Sequence, residues 1–243
     1  MTAPPAMKSG DGEHVLHALS GLPQPRRAVA FVRHAERSKS PSGHPADFEG
    51  SSLLLTDNGH AAARRFGSRL PRDRSLRIYH SPSRRAIETA GDVLEGFKAV
   101  GEPPPSGIAG VEPLLSTFYG STVDEAGRLN LKRDLGGGQS LLRAWIDGRV
   151  PLDILRPVTE ARENRLNMLR TKLLEAPTGS MTLMISHDFT IILLRDWLFG
   201  VRFEQTEWPA YLDGVVISED EYGGLNAAWQ NHVVAVPIGE ANA

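Results

Sequence analysis

Three segments of the sequence place charged and titratable side chains directly after a run of apolar residues. They are "VAFVRHAERS" (29–38), "LRIYHSPSRR" (76–85) and "MTLMISHD" (181–188). Their polar ends supply Arg33, His34, Arg37, Arg85, His187 and Asp188. Three arginines near one point repel one another unless an anion binds between them, and a guanidinium group matches phosphate oxygens two at a time. If the three ends meet, these residues predict a phosphate-binding pocket.

The histidines and the aspartate add the groups that phosphoryl transfer requires. A neutral imidazole can attack phosphorus. A second imidazole, when protonated, stabilises negative charge on the transferring group. Asp188, next to His187 in the sequence, could protonate the leaving oxygen. The combination predicts phosphoryl transfer with a histidine as the nucleophile.

Predicted strands and helices alternate along most of the chain, and this order indicates how the polar residues are positioned. Strands are expected at 27–34, 76–81, 181–187, 213–218 and 232–238, and helices at 55–70, 83–97, 158–175 and 189–200. This order favours a three-layer α/β/α sandwich with a largely parallel central sheet. Parallel sheets bind ligands outside the carboxyl ends of their strands. The polar clusters should therefore meet at one edge of the sheet.

The domain organisation follows from the segments that lack such periodicity. Residues 1–27 are rich in Pro, Gly and Ser and predict a mobile tail, with a short helical turn at 15–19. The remaining chain, 28–243, is expected to form one catalytic domain. Within it, residues 99–156 contain "GEPPPSG" and "GGGQS" and predict an insertion that covers the pocket, partly helical at 141–146.

The composition excludes several classes of function. A net charge of −2 over 243 residues gives no overall field that would attract nucleic acid or an anionic membrane. The absence of cysteine excludes disulfides, thiolate metal sites and a cysteine nucleophile. No apolar run approaches the roughly 20 residues that span a bilayer. The N-terminal segment has no apolar core typical of a secretory signal, so a cytoplasmic location is expected.

Four segments resemble, in order, the motifs of the histidine phosphatase superfamily, the phosphoglycerate mutase and acid phosphatase fold. "RHAER" is similar to its Arg-His-Gly signature and "LTDNGHAAARRFGSRL" to its Leu-Thr-x-x-Gly helix. "HSPSRRAIETA" is similar to its Ser-Pro-x-x-Arg-Ala-x-x-Thr-Ala element, and "ISHDFTI" resembles its second-histidine motif. Four motifs in order are more specific than any one of them. The resemblance spans roughly residues 28–195, apart from the variable insertion.

The resemblance implies a role for each pocket residue. His34 would carry the phosphoryl group as a phosphohistidine. The phosphoryl group would be bound by Arg33, Arg37, Arg85 and His187. One departure concerns Ala35, which replaces the family glycine after the nucleophile. Its methyl group is acceptable if the backbone there has a negative φ angle.

The resemblance leaves two carboxylates as the proton donor. Asp188 belongs to the His-Asp pattern of the acid phosphatase branch. Glu112, in "GVEPLLSTFYG", loosely resembles the donor glutamate of the mutase branch, whose short chain length this protein shares. Asp188 is preferred, and Glu112 remains the alternative.

The sequence as a whole predicts a phosphomonoesterase that needs no metal or other cofactor. Residues 99–156 have no strong charge bias, which suggests a small polar phosphate ester as substrate. Two alternatives are a mutase of the same fold and a non-catalytic module that binds a phosphorylated ligand.

The arginine-rich residues 64–85 lack the aromatic interleaving of a nucleic-acid interface, so a solvated helix face is favoured. Whether the chain forms a homo-oligomer stays open.

Overall fold

A seven-stranded sheet forms the centre of the computed structural model, which describes residues 11–38 and 53–236. The strands are β1 (Ala28–Arg33), β2 (Leu76–His80), β3 (Ser106–Val111), β4 (Met181–Ser186), β5 (Gly214–Glu219), β6 (Leu225–Trp229) and β7 (His232–Ala235). Their order is β3-β2-β4-β1-β5-β6-β7. The first four pair in parallel, and β5, β6 and β7 each pair antiparallel to the preceding strand of that order. The α/β fold is confirmed, and the parallel half carries the polar clusters.

Helices cover both faces of the sheet. They are α1 (Glu13–Ser20), α2 (Asp57–Ser68), α3 (Arg84–Lys98), α4 (Glu125–Asp134), α5 (Gly138–Ile146), α6 (Val158–Leu174) and α7 (Asp188–Phe199). Alternate side chains of β1 enter opposite layers, because a strand points successive side chains to opposite faces. Ala30 and Val32 pack with α1, α2 and α3, whereas Val29 and Phe31 pack with α6 and α7. Within the described residues, no helix is both long and apolar enough to cross a membrane.

The sequence-based prediction of a mobile tail is wrong for residues 11–27. Helix α1 buries Val15, Leu16 and Leu19 in the same layer as α2 and α3. The buried guanidinium of Arg74 holds the following turn by donating hydrogen bonds to the carbonyls of Leu22, Pro23 and Arg26. The short helical turn predicted at 15–19 lies within an amphipathic helix of eight residues. Residues 1–10 lie outside the described residues.

The predicted insertion at 99–156 begins later than the sequence suggested. Residues 106–111 form β3, an edge strand that pairs in parallel with β2. Its sequence, "SGIAGV", has two glycines, and its register shifts opposite Ile78 and Tyr79, so no strand periodicity is visible. The segment 112–156 contains α4, α5 and a 3₁₀ turn at Pro113–Leu115. Its role as a cover for the pocket stays a prediction.

The ends of the parallel strands lie level with one another, as the polar clusters require. Arg33 is the register partner of Ser186, and His80 is the partner of Ile185. The backbone N–H of His34 donates to the carbonyl of Ser186 at 2.9 Å, which extends this alignment past the end of β1. Helices α3 and α7 begin within a few residues of β2 and β4. Three chain segments, those that follow β1, β2 and β4, therefore meet at one edge.

Several cations of the arginine-rich segment 64–85 are used in contacts within the chain. Its ion pairs are Arg64–Asp92, Arg64–Glu95, Arg65–Asp11 and Arg69–Glu13. Arg74 is buried against backbone carbonyls. These contacts use the cations structurally and give no support to a nucleic-acid interface.

Candidate active site

The carboxyl ends of β1, β2 and β4 open into a cavity of about 970 Å³. The lining includes five residues of the predicted phosphate site: His34, Arg37, Arg85, His187 and Asp188. Residues between 116 and 141, from the segment 112–156, line it as well. The volume lies near the upper end of the range of roughly 300–1,000 Å³ that is typical of small-molecule sites. A cavity of this volume is large enough for a phosphate group together with a sizeable organic group.

His34 lies directly after β1 and is only 2% exposed. Its Nδ1 is 2.8 Å from the carbonyl oxygen of Ala35, which can only accept, so Nδ1 carries the ring proton. Nε2 therefore keeps its lone pair, and it accepts a hydrogen bond from Nε of Arg85 at 3.1 Å. Burial lowers the pKa of His34 well below its usual value of 6.5, and nearby His187 and Arg85 add to the shift. The imidazole is neutral at physiological pH, with a lone pair on the nitrogen that meets Arg85.

His187 occupies the N-cap position of α7, and its side chain contacts the same arginine. Its Nδ1 lies 3.1 Å from Nη2 of Arg85, which can only donate, so Nδ1 is the acceptor. Nε2 then carries the proton and donates to Oγ of Ser81 at 2.9 Å. Loss of water contact and the positive charge of Arg85 lower the pKa of His187 to about 3. The two imidazole rings, 5.4 Å apart between centroids, thus present neutral nitrogens to one guanidinium.

Thr89 fixes the backbone that follows the nucleophile. One helical turn after Arg85, its hydroxyl accepts from the N–H of Ala35 at 3.0 Å and donates to the carbonyl of Arg85 at 2.7 Å. Ala35 is fully buried and does not have a positive φ angle, so its methyl group causes no backbone strain. The alanine that departs from the family glycine is therefore compatible with an intact site.

Asp188 is held at the first position of α7 by three separate donors. Its Oδ2 lies 3.0 Å from Nη2 of Arg33 and 3.1 Å from the indole nitrogen of Trp208. Its Oδ1 accepts from the backbone N–H of Phe189 at 2.9 Å. Arg33 is positioned in turn by the ring of Tyr211, whose centroid lies 4.2 Å from the guanidinium carbon. The carboxyl group lines the cavity and its side chain keeps 27% exposure, so water reaches it.

The two remaining candidates have different outcomes. Arg37 lines the cavity, and its Nη1 donates to the carbonyl of Ser38 at 2.9 Å. Glu112 does not line the cavity: its carboxylate accepts from the N–H of Leu114 at 3.2 Å and caps the 3₁₀ turn. The structure therefore brings His34, Arg37, Arg85, His187 and Asp188 together in the cavity. Arg33 is not part of the lining and joins this group through its ion pair with Asp188, whereas Glu112 lies outside the group.

Several side chains at the site were not identified from the sequence. Trp208 and Tyr211 lie in an irregular segment where no motif or periodicity marks them. Glu125 and Arg128 both line the cavity and form a bidentate ion pair, with N–O distances of 2.6 and 2.9 Å. Their i,i+3 spacing is visible in the sequence, but such pairs are common on helices. Only the fold distinguishes a pair that faces a cavity.

Because His34 and His187 are held in the neutral form in the folded protein, we expect the free energy of unfolding to decrease in acid. The unfolded chain takes up their protons near pH 6.5, whereas the folded protein resists protonation to a much lower pH. Lowering the pH from about 6.5 to about 4 should reduce the free energy of unfolding by up to about 1.4 kcal/mol per pH unit for each histidine. Chemical denaturation of a His34→Asn/His187→Asn double variant should show a shallower decline than the unmodified protein. His17→Asn, at an exposed site, is the control, and equal slopes in all three proteins would contradict the assignment.

A family model for the histidine phosphatase superfamily (branch 1) matches residues 29–103. This range contains Arg33, His34, Arg37 and Arg85. The match confirms the resemblance to that superfamily. No curated protein sequence matches the chain.

Solved structures of this fold match most of the chain at low sequence identity. YhfR from Bacillus stearothermophilus is 20% identical, with a TM-score of 0.53 over 86% of this chain and 98% of its own. A phosphoglycerate mutase from Bacillus anthracis str. Sterne is 16% identical, with a TM-score of 0.52 over 87% and 92%. A mycobacterial glucosyl-3-phosphoglycerate phosphatase is 14% identical, with a TM-score of 0.51 over 84% and 99%. At these identities the similarity establishes the phosphoglycerate mutase-like fold.

Proposed function

We propose, from this resemblance and from the geometry of the site, that the chain is a phosphomonoesterase that forms a phosphohistidine at His34 without a metal cofactor. One observation carries the proposal. A buried, neutral imidazole directs the lone pair of Nε2 toward Arg85, a guanidinium that also contacts His187. A neutral imidazole next to an anion-binding group is the arrangement that a nitrogen nucleophile requires for attack on phosphorus.

The first step transfers the phosphoryl group to the protein. Arg85 and Arg37 bind the phosphate oxygens, and Nε2 of His34 forms a bond to phosphorus in line with the leaving oxygen. The bond between phosphorus and that oxygen breaks, and protonated Asp188 donates its proton to the departing alkoxide. Nδ1 of His34 keeps its proton on the carbonyl of Ala35 throughout, which orients the ring.

The second step returns the enzyme to its starting state. The carboxylate of Asp188 takes a proton from water, and the resulting hydroxide attacks phosphorus. The bond between phosphorus and Nε2 of His34 breaks, and the electron pair returns to the nitrogen as inorganic phosphate leaves. The partial exposure of Asp188 gives water access to the group that activates it. That access favours hydrolysis over return of the phosphoryl group to a second substrate hydroxyl.

His187 is proposed to stabilise the charge of the bound group. A phosphate dianion next to Arg85 favours the protonated form of this imidazole and opposes the effects that lower its pKa. Nδ1 would then donate to a phosphate oxygen, while Nε2 keeps its hydrogen bond to Ser81. The charge would be stabilised where it develops in the transition state. The segment 112–156, which supplies part of the lining, is proposed to select the substrate.

Trapping the intermediate tests this function. Rapid mixing with a radiolabelled phosphate ester in EDTA, followed by a denaturing quench, should leave label on the protein. A phosphohistidine is labile to acid and stable to base, unlike a phosphoserine. The label should be present in a His17→Ala control, in which an exposed histidine is removed, and absent from His34→Ala. Acid-stable label, or label that persists without His34, would refute the proposed intermediate.

A further inference from the structure

Three aromatic side chains from separate parts of the chain line the cavity: Phe118, Phe189 and Trp208. The rings of Phe118 and Phe189 are 6.3 Å apart between centroids at 89°, and those of Phe189 and Trp208 are 5.9 Å apart at 72°. Both are edge-to-face contacts within the favourable range of roughly 4.5–7 Å. We refer to these three rings as the aromatic wall.

The aromatic wall is supported from behind by further packing. Phe118 packs on the buried ring of Trp145 at 5.3 Å, and Trp208 packs on Phe203 at 5.8 Å. Trp145 is itself anchored by a hydrogen bond from its indole nitrogen to the carbonyl of Arg156 at 2.7 Å. Rings held in this way lose little conformational entropy when a ligand binds against them. The wall is a preformed binding surface.

Gly138 allows α5 to approach the central ring of the wall. A Cβ atom at this position would lie 3.0 Å from Cζ and 3.2 Å from Cε2 of Phe189, so the ring would have to move. Gly138 is the first residue of α5 and does not have a positive φ angle, so the backbone accepts an alanine. The absence of a side chain at Gly138 therefore allows the ring of Phe189 to keep its observed position.

The aromatic wall also lies beside the group that would protonate the leaving oxygen. The indole nitrogen of Trp208 donates to Oδ2 of Asp188, and Phe189 is the next residue in the chain. An ester oxygen placed at Asp188 would direct the rest of its alcohol along these rings. An open-chain polyol such as glycerol would cover little of the apolar ring surfaces, whereas a flat apolar group would bury them.

We propose that the substrate is a small phosphate monoester whose leaving alcohol carries a planar aromatic ring, which packs against the aromatic wall. This inference rests on the proposed phosphomonoesterase function. It departs from the sequence-based expectation of a small polar ester. That expectation used the charge of residues 99–156, which contain only one of the three rings, Phe118.

The test compares esters whose leaving alcohols have similar acidity, so that intrinsic reactivity does not decide the outcome. The compounds are phenylethyl phosphate, cyclohexylethyl phosphate and glycerol phosphate. We expect kcat/KM for phenylethyl phosphate to exceed that for glycerol phosphate by at least about tenfold, from burial of the ring. Cyclohexylethyl phosphate should fall between them, because it offers apolar area without an aromatic face.

Variants of the wall connect this preference to the structure. Phe189→Leu should lower the ratio of kcat/KM for phenylethyl over glycerol phosphate by about three- to tenfold. Gly138→Ala, which keeps every catalytic side chain, should lower the ratio in the same direction. Phe199→Leu is the matched control on the same helix, because Phe199 packs on Trp229 and does not line the cavity. It should keep the original ratio.

The outcomes separate this inference from the proposed function. A ratio near or below one, or a ratio that Phe189→Leu leaves unchanged, would overturn the inference while turnover itself still supports the phosphatase. If no ester is hydrolysed, the proposed function fails. The aromatic subsite is then tested by the increase in Tm that each ester causes. A larger increase in Tm with phenylethyl than with glycerol phosphate, reduced in Phe189→Leu, would support the aromatic subsite. Equal increases would overturn it.

Discussion

The His34→Ala variant should release inorganic phosphate from any substrate at a kcat at least about 10⁴-fold below that of the unmodified protein. The side chain of His34 supplies the atom that is proposed to bond to phosphorus. In the described structure, His34 is the imidazole that both contacts Arg85 and is oriented by a backbone carbonyl. His187 makes its second hydrogen bond to the hydroxyl of Ser81, across the shared guanidinium. It is therefore not placed to replace the missing nucleophile.

Steady-state phosphate release in EDTA measures this effect. His17→Ala, which removes an exposed histidine, should keep the original kcat. Because His34 is buried, its removal leaves a cavity, so the fold of the variant must be checked separately. An increase in Tm on addition of inorganic phosphate would show that the arginine pocket is intact. A variant that keeps this increase and retains more than about a tenth of the original kcat would exclude His34 as the nucleophile.

The Asp188→Asn variant should lose activity in proportion to how poorly the leaving group departs. For alkyl phosphates we expect kcat to fall about 10²- to 10³-fold, because an alkoxide needs a proton as it leaves. For nitrophenyl phosphate the fall should be less than about tenfold, since nitrophenolate is a stable anion. Asparagine keeps one acceptor oxygen, which can serve either the N–H of Phe189 or the donors on Trp208 and Arg33 but not both sides at once. The variant therefore removes proton transfer together with part of the contacts of Asp188, and the nitrophenyl ester measures the second effect.

Glu112→Gln is the matched control, because the sequence alone left this residue as an alternative donor. Its carboxylate caps a 3₁₀ turn outside the cavity, so kcat for both ester types should stay within about twofold. A similar loss for alkyl and nitrophenyl esters in Asp188→Asn would indicate a role in binding rather than proton transfer. A selective loss for alkyl esters in Glu112→Gln would reverse the assignment.

Local sequence determined which residues follow each buried strand. A strand of alternating or continuous apolar residues ends where polar residues begin, and parallel strands of one sheet align their ends. For this reason the amino-acid pattern alone is enough to group Arg33, His34, Arg85, His187 and Asp188. Helix ends followed similar rules: the hydroxyl of Thr56 caps α2, and Gly200 ends α7 with φ of 65°.

Elements with weak local patterns were predicted only in part, as the helical turn at 15–19 was, or not at all, as for β3. Helix α1 is one short amphipathic stretch between Pro- and Gly-rich flanks, and its burial depends on a surface that α2, α3 and the sheet provide. Strand β3 is glycine-rich and partly exposed, so only its hydrogen bonds to β2 identify it as a strand. In both cases the stabilising contacts come from distant parts of the chain, which a window of neighbouring residues does not contain.

The sequence by itself determined the chemical groups of this protein: arginines for an anion, two histidines and an aspartate at strand ends. Only the tertiary structure decided how those groups are used. It excluded Glu112 from the cavity, joined Asp188 to Trp208 and placed three rings from separate parts of the chain in the same cavity as the two histidines. The reason is physical, since side-chain type and local periodicity are written in neighbouring residues, whereas contacts between residues tens of positions apart exist only once the chain has folded.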